Sequence, residues 1–280
     1  MTGYRPRLAA ALLGVMLLAP PGLEASTPKA DTPPAGMSEA ARAYASGDFT
    51  TAFTKAQQAA KRGDAEALQL LGAMYLRGEG VKKDEKQAVH YIARAAEKGL
   101  LKAQYNLAIA YALGTGQDKD FTKAAKWYGI AAERGHARAA YDLGWLYRKG
   151  LGVKQDLKKS ADWIGRAARG GLADAQLEYA LMLFSGNGII KNLPQAVHWF
   201  KQAARRGNPV AQNRLARLLI MGFGIEQDGV EAAKWHMLAK ENGLEDKQLD
   251  QFVSNFSPEE VEDLQKRLKA FKARAAPGDG

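Results

Sequence analysis

The amino-acid sequence predicts an all-α solenoid of antiparallel helix pairs, and two observations lead to this fold class. First, similar phrases recur at steps of 36 residues without insertion or deletion, and each ends on a glycine: Gly63, Gly99, Gly135, Gly171, Gly207 and Gly243. Second, each of the five phrases that follow Gly63 carries apolar side chains at helical spacing, interrupted once by a Gly-x-Gly pair. One helix pair cannot bury its apolar face alone, whereas stacked neighbours can, so this period predicts a solenoid.

Positions 36 residues apart form columns, and those of the second helix in each repeat have clear structural purposes. An N-cap residue, whose side chain accepts from free backbone N–H groups, follows every Gly-x-Gly pair: Asp84, Asp120, Asp156, Asn192 and Asp228. A glycine such as Gly99 ends the helix, because glycine enters the left-handed conformation at little cost. Between them lies an aromatic column that we expect to be buried between packed layers: Tyr91, Trp127, Trp163, Trp199 and Trp235.

The first helix of each repeat has its own apolar face, represented by Ala67 and Leu71. A small residue recurs in the column of Gly72, which lets two helices approach closely. The Gly-x-Gly pair then lets the chain turn into the second helix. One repeat is therefore helix, glycine-rich turn, helix and glycine, and we expect five such repeats over residues 64–243.

Both ends of the array are predicted to be capped. The second half of a repeat is matched in register by Asp48, Ala52, Ala59, Ala60 and Gly63, and we therefore interpret residues 38–63 as a degenerate N-terminal capping helix pair with a shorter turn. Residues 244–273 follow the last repeat as C-terminal capping helices, one of which begins at the capping box Ser257-Pro258-Glu259-Glu260. That helix should cover the last repeat, because apolar residues follow at three- and four-residue steps. Residues 274–280 are expected to be a disordered tail.

The N-terminal residues have the pattern of an export signal. Two arginines precede an apolar run from Leu8 to Ala19, and the small residue Ala25 follows where a signal peptidase would cut. Such a run is too short to span a bilayer, which needs roughly 20 residues. We therefore expect residues 1–25 to be a cleavable signal peptide, residues 26–37 to be a disordered linker, and the protein to be periplasmic or secreted. An uncleaved membrane anchor is the alternative.

The repeats resemble Sel1-like repeats, a subfamily of the tetratricopeptide-like helix-pair repeats. The resemblance rests on the run from Ala88 to Gly99 and on the phrase from Ala65 to Asp84, Ala-Glu-Ala-Leu-Gln-Leu-Leu-Gly-Ala-Met-Tyr-Leu-Arg-Gly-Glu-Gly-Val-Lys-Lys-Asp. It covers roughly residues 64–243 and implies a right-handed superhelix with adaptor or regulatory roles in protein binding. Exported bacterial members are common in that family. The last repeat departs from the pattern at His236 and Lys240, where apolar residues are expected.

The sequence offers no support for catalysis or for a cofactor. The chain has no cysteine, so disulfides, zinc–thiolate sites and cysteine nucleophiles are excluded. The Gly-x-Gly pairs lack the third glycine and the lysine of a nucleotide loop, and they recur in every repeat. No two of the four histidines have the close spacing of a zinc site, and no catalytic triad or carboxylate pair stands out. We predict no catalytic residue, no cofactor, no metal, and a protein that is not an enzyme.

The net charge of +10 bears on the class of partner. Nucleic acid is not expected, because the predicted export separates the protein from it. We expect a protein partner, and either an acidic face on that partner or an anionic envelope polymer would complement the charge; plain solubility is the alternative. Two functions stay open: a periplasmic scaffold, adaptor or regulator, and a cell-envelope glycan-binding accessory protein or β-lactamase-like hydrolase. The missing catalytic residues favour the first.

Positions 66, 70, 73 and 77 and their equivalents form a stripe on the first helices, which we call the candidate stripe. Its columns vary in side-chain chemistry, as packing alone would not require. The residues expected to contact a partner in the concave groove are Asn106, Asp142, Trp145, Glu178, Arg214 and Arg217. Trp145 stands out because it is the only tryptophan outside the aromatic column, and aromatic residues dominate interface hot spots. A solvated face, or packing between neighbouring first helices, is the alternative.

Overall fold

The chain folds into α-helices connected by short turns. A computed structural model describes residues 38–275, and every regular element among them is a helix, which confirms the predicted class. The predicted signal peptide and linker, and residues 276–280 of the predicted tail, lie outside the described residues. The helices are α1 (Glu39–Ala45), α2 (Phe49–Lys61), α3 (Ala65–Arg77), α4 (Glu85–Glu97), α5 (Leu101–Leu113), α6 (Phe121–Glu133), α7 (Ala137–Lys149), α8 (Leu157–Arg169), α9 (Ala173–Ser185), α10 (Leu193–Arg205), α11 (Pro209–Met221), α12 (Gly229–Glu241), α13 (Lys247–Ser254) and α14 (Pro258–Ala275).

The chain divides into two compact units. The first runs to Ala139 and includes residues 150–154, and each helix from α1 to α5 packs against the next. The second comprises residues 140–149 and the chain from Gln155 onward. In the second unit the same consecutive packing runs from α8 to α12, after which α13 and α14 both pack against α12.

Each unit has a core of alanine and larger apolar side chains. The core of the first unit includes Leu68, Leu71, Ile92 and Leu107. The core of the second includes Leu183, Phe200, Leu215 and Trp235. Since alanine fills many of the remaining core positions, neighbouring helices can pack closely, as the small-residue columns predict.

The helix ends follow the predicted capping chemistry. Asp84 Oδ1 accepts hydrogen bonds of 3.0 Å from the backbone N–H groups of Lys86 and Gln87, and all five predicted N-cap residues accept such bonds at the start of α4, α6, α8, α10 and α12. Gly99, which follows α4, has a φ of 84°, in the left-handed region. These local bonds fix where each second helix begins and ends.

The second glycine of each Gly-x-Gly turn lies against the preceding repeat. A Cβ added to Gly188 would overlap the backbone carbonyl of Leu157, the first residue of α8. One period later, Gly224 lies in the same way against Leu193, the first residue of α10. Only a residue without a side chain permits this approach, so each turn is fixed to the start of the second helix before it.

The aromatic column is less deeply buried than predicted. Trp163 is half-buried, with the guanidinium of Arg166 lying 4.4 Å from its ring centroid, whereas Trp235 in the same column is buried. The column one residue later is fully buried instead: Ile92, Tyr128, Ile164, Phe200 and His236. Burial therefore follows the helix face that meets the neighbouring helices, and size alone does not place a tryptophan there.

The last two helices contact the last repeat. Arg267 of α14 donates a 2.7 Å hydrogen bond to Asp228, and the ring of Phe271 meets that of Trp235 edge to face at 5.2 Å. The Ser257 capping box forms, since the Ser257 N–H donates to Glu260 and the Glu260 N–H donates to Ser257 Oγ. The helix predicted to cover the last repeat is thus anchored to α12 by charge and by aromatic packing.

Candidate functional site

The candidate stripe contains buried as well as accessible side chains. Asn106, in the first unit, is 1 % exposed, and Asp142, in the second, is 4 % exposed. A polar residue in a variable column is expected at the surface, and these two positions correct that expectation. Their side chains belong to the interior of the fold, so a partner cannot reach them without rearrangement.

Glu178 is engaged by two side chains of the neighbouring first helix. Tyr141 Oη donates a 2.7 Å hydrogen bond to Glu178 Oε2, and Arg148 forms an ion pair with the other carboxylate oxygen. Tyr141 and Arg148 belong to α7, while Glu178 belongs to α9. The carboxylate therefore joins the first helices of two successive repeats, and its main role is structural.

The equivalent positions in the first unit are Gln69 and Asn106. Both side chains are buried, and among the described residues neither polar atom of the Gln69 side chain has a hydrogen-bond partner, nor does Asn106 Nδ2. The columns of Gln69 and Asn106 thus form an internal contact region. In the second unit these columns hold the hydrogen-bonded pair Tyr141 and Glu178, and in the first unit they hold two side-chain amides.

Arg217 forms a cluster with the start of α13. It forms a 2.6 Å ion pair with Asp246 Oδ2, to which Asn213 also donates a 2.8 Å hydrogen bond. Burial favours a raised pKa for Asp246, but the hydrogen bonds from Asn213 and Arg217 outweigh it and lower that pKa. Arg217 therefore holds the C-terminal cap, and its positive charge is largely offset.

Of the six predicted residues of the candidate stripe, the accessible ones lie in the second unit. Arg214 on α11 is exposed, while Trp145 on α7 and Leu181 on α9 are half-buried. All three lie on first helices, between columns that are buried. Of the six predicted residues, Trp145 and Arg214 are thus those whose accessibility fits partner contact.

His236 takes a framework position in the last repeat. Its imidazole is 1 % exposed, and Nε2 lies 3.0 Å from Asp250 Oδ1, to which Lys240 Nζ also donates at 2.8 Å. The two departures from the repeat pattern, His236 and Lys240, thus share one acceptor on α13. They are explained by docking of the C-terminal cap, and Asp250 is the partner that the repeat pattern does not reveal.

Two features are absent from residues 38–275. No group of three or more His, Asp or Glu side chains is arranged to hold a metal ion. No helix in the same range is long and apolar enough to cross a membrane.

Comparison with known proteins identifies the class as a helical-repeat protein. The family model described as "Sel1 repeat" matches residues 65–100, 101–136, 137–172, 173–208 and 209–244. The chain belongs to the Sel1 repeat family, whose solenoids generally act as protein–protein interaction scaffolds. No curated protein matches this chain.

Two solved structures show how far the similarity extends. A Sel1 repeat protein from Oxalobacter formigenes is 30% identical with a TM-score of 0.69, over 82% of this chain and 98% of that one. A protective antigen present in uropathogenic Escherichia coli strains, which displays an SLR fold, is 30% identical with a TM-score of 0.73, over 84% of this chain. This chain spans about half of the second protein, 52% of its length.

Proposed function

We propose that this protein is an exported scaffold that binds a protein partner through the accessible part of the candidate stripe, at Trp145, Leu181 and Arg214. The general role of Sel1 repeats supports a scaffold. The two members named by the comparisons are bacterial proteins, one of them a protective antigen, and this agrees with the export pattern at residues 1–25.

One observation supports this location of the binding surface, namely how the burial of the column of residue 73 changes along the chain. The column of residue 73 is buried in the first unit, at Ala73 and Ile109, but in the second it reaches the surface at Trp145 and Leu181. The same column thus changes from core to surface along the chain. A large aromatic residue at a position that the core does not require favours recognition over packing.

The chemistry of these three side chains fits a protein partner. Tryptophan and arginine are the residue types that most often supply binding energy at the centre of interfaces, and apolar Leu181 adds area to be buried. A charged Arg214 selects for a carboxylate on the partner and accelerates association more than it adds affinity.

The test begins with capture of partners from envelope extract by the immobilised protein, followed by affinity measurement with the purified partner. We expect Trp145→Ala to weaken binding by about 2 kcal/mol and Arg214→Glu to slow association, with the melting temperature preserved in both. Arg205→Glu, an exposed arginine of α10 in the same unit, is the matched control. Loss of binding in the control alone, or unfolding by Trp145→Ala, would contradict the assignment.

Export is tested separately by mass spectrometry of the protein from fractionated cells. The expected N-terminus lies near Ser26, immediately after the small residue Ala25. An intact Met1 in the cytoplasmic fraction would remove export from the proposal without affecting the scaffold role.

A further inference from the structure

Four exposed apolar side chains lie along one edge of the second unit, which we call the apolar edge. They are Leu157, Ile190, Met221 and Phe223, and they are 39 %, 88 %, 47 % and 49 % exposed. Among residues 38–275 they are four of the six large apolar side chains that are exposed. Isolated exposed apolar residues are ordinary, but a concentration of them marks a site of interaction.

The turn contacts bring these residues to the same edge. The turn that contains Ile190 lies against Leu157 through Gly188, whose added Cβ would overlap the Leu157 backbone. The next turn lies against Leu193 through Gly224, and Phe223 immediately precedes that glycine. Leu157, Ile190 and Phe223 therefore follow one another along successive turns, with Met221 ending α11 beside them.

The fold does not require apolar side chains at the two turn positions. The column of Ile190 holds charged residues in the three preceding repeats, at Lys82, Asp118 and Lys154. The column of Phe223 is mixed, with Glu79, Thr115, Leu151 and Asn187 in the preceding repeats. Since the same turns form with polar residues, the turns do not require Ile190 or Phe223 to be apolar.

Their neighbours already anchor the turns. Ile189 and Ile225 are partly buried and pack against the core of the second unit, whereas Ile190 points its side chain to solvent. Each turn thus has one inward and one outward apolar residue. An isoleucine at 88 % exposure gains no stability from the core, whereas a partner that covered it would remove its apolar area from water.

Charge at the edge is asymmetric. Lys158 follows Leu157, Lys191 follows Ile190, and both lysines are exposed. Exposed Glu226 lies at the other end, after Phe223. A bound segment is therefore favoured when it places a carboxylate at the Leu157–Ile190 end.

We propose that the apolar edge is a second docking surface, which binds a protein segment that has apolar side chains and a carboxylate at one end. The apolar side chains would cover Ile190 and Phe223, and the carboxylate would lie beside Lys158 and Lys191. Met221 belongs to the column of residue 77 and so also to the candidate stripe, whereas Leu157, Ile190 and Phe223 lie outside that stripe. Because the proposal rests on these three residues, it stands or fails independently of the binding proposed for Trp145, Leu181 and Arg214.

The experiment selects peptides from a displayed library of random 16-residue sequences against the full-length protein. The selected peptides should combine apolar residues with Asp or Glu near one end. Ile190→Asp and Phe223→Asp should each weaken a selected peptide by about tenfold or more, and Lys158→Glu with Lys191→Glu should weaken it and reduce its salt dependence. The matched control is Val261→Asp, which alters an apolar residue with 38 % exposure that lies outside both the edge and the candidate stripe.

The outcomes separate the alternatives. Binding that survives Ile190→Asp but is lost in Trp145→Ala would overturn the proposal in favour of the candidate stripe. So would a library without selected peptides, or peptides without carboxylates. Vesicles of anionic phospholipid test the remaining class of ligand, a membrane surface. If the protein binds these vesicles through Ile190 and the vesicles compete with the selected peptides, the occupant of the edge is lipid and the proposal of a protein segment is wrong.

Discussion

Tyr141 and Glu178, 37 residues apart, join two successive first helices through a 2.7 Å hydrogen bond. The bond spans one period plus one residue, so it connects different columns of neighbouring repeats. In the second unit this hydrogen bond contributes to the packing of one repeat on the next, whereas the caps define the ends of the helices within a repeat.

Removal of the Tyr141 hydroxyl should therefore destabilise the second unit. We expect Tyr141→Phe to cost about 1–2 kcal/mol in chemical denaturation, because a hydrogen bond to a charged group is lost. Tyr147→Phe on the same helix is the control, because it also removes a hydroxyl. It keeps the ring, whose centroid lies 5.4 Å from Lys159 Nζ. Equal effects of the two substitutions would show that the Tyr141–Glu178 bond contributes nothing measurable.

Ser160 offers a stabilising substitution. Its side chain is fully buried, its hydroxyl has no hydrogen-bond partner among the described residues, and its column is alanine in the other four repeats. Ser160→Ala should raise the unfolding free energy by about 1 kcal/mol, because an unsatisfied polar group is removed. Ser185→Ala, at an exposed hydroxyl that donates to Leu181 O at 2.8 Å, should not stabilise. A destabilised Ser160→Ala variant would indicate a hydrogen bond that the structure does not show.

The fully buried column should dominate stability over the aromatic column. Phe200→Ala should cost about 3–5 kcal/mol, the usual range for a large buried aromatic residue. Trp163→Ala should cost about 1–2 kcal/mol, because only part of its apolar surface is removed from water. Urea denaturation of both variants gives the comparison, and a larger loss for Trp163→Ala would reverse the order of the two columns.

The ion pair between Asp228 and Arg267 should make the C-terminal cap sensitive to acid. Burial favours a raised pKa for Asp228, but hydrogen bonds from the Glu231 N–H and from Arg267 outweigh it, and the pKa lies below its ordinary value of 3.8. A lowered pKa in the folded state means that this stability is present above pH 3.8 and is lost as the pH falls through the folded pKa.

Asp228→Asn tests that pH dependence while it keeps the N-cap, as Asn192 does in the preceding repeat. The variant should be less stable than the natural protein by about 1 kcal/mol or less at pH 7, with the difference vanishing at the acidic end of the titration. Asp156→Asn, at an N-cap in the middle of the array, is the control. A difference for Asp228→Asn that persists unchanged in acid would attribute the effect to the cap.

The sequence is sufficient to predict the repeats and their caps, because these depend on residues only a few positions apart. Asp84 needs only the next three residues to act as an N-cap, and Gly99 needs only its own backbone freedom. Asn106 and Asp142 differ, since their burial depends on the packing of helices against one another, which neighbouring residues in the sequence do not determine. A variable polar column looks the same in sequence whether it faces solvent or another helix.

The apolar edge could have been found from the sequence by the criterion used for the candidate stripe. Ile190 breaks a column of charged residues, and Phe223 follows Glu79 and Thr115 in its column. Spacing alone, however, does not show that successive turns lie side by side. That knowledge requires the glycine contacts with Leu157 and Leu193.

The same glycine contacts restrict how a chain of this kind can change in length. Gly80, Gly116, Gly152, Gly188 and Gly224 lie against Phe49, Glu85, Phe121, Leu157 and Leu193 in turn. Duplication or loss of a whole period leaves the second glycine of every turn in contact with the start of the second helix before it. Gain of a single residue within a turn would break that contact. The fold therefore accommodates a change in length best when a complete 36-residue unit is added or removed, and this agrees with the uninterrupted series of 36-residue steps.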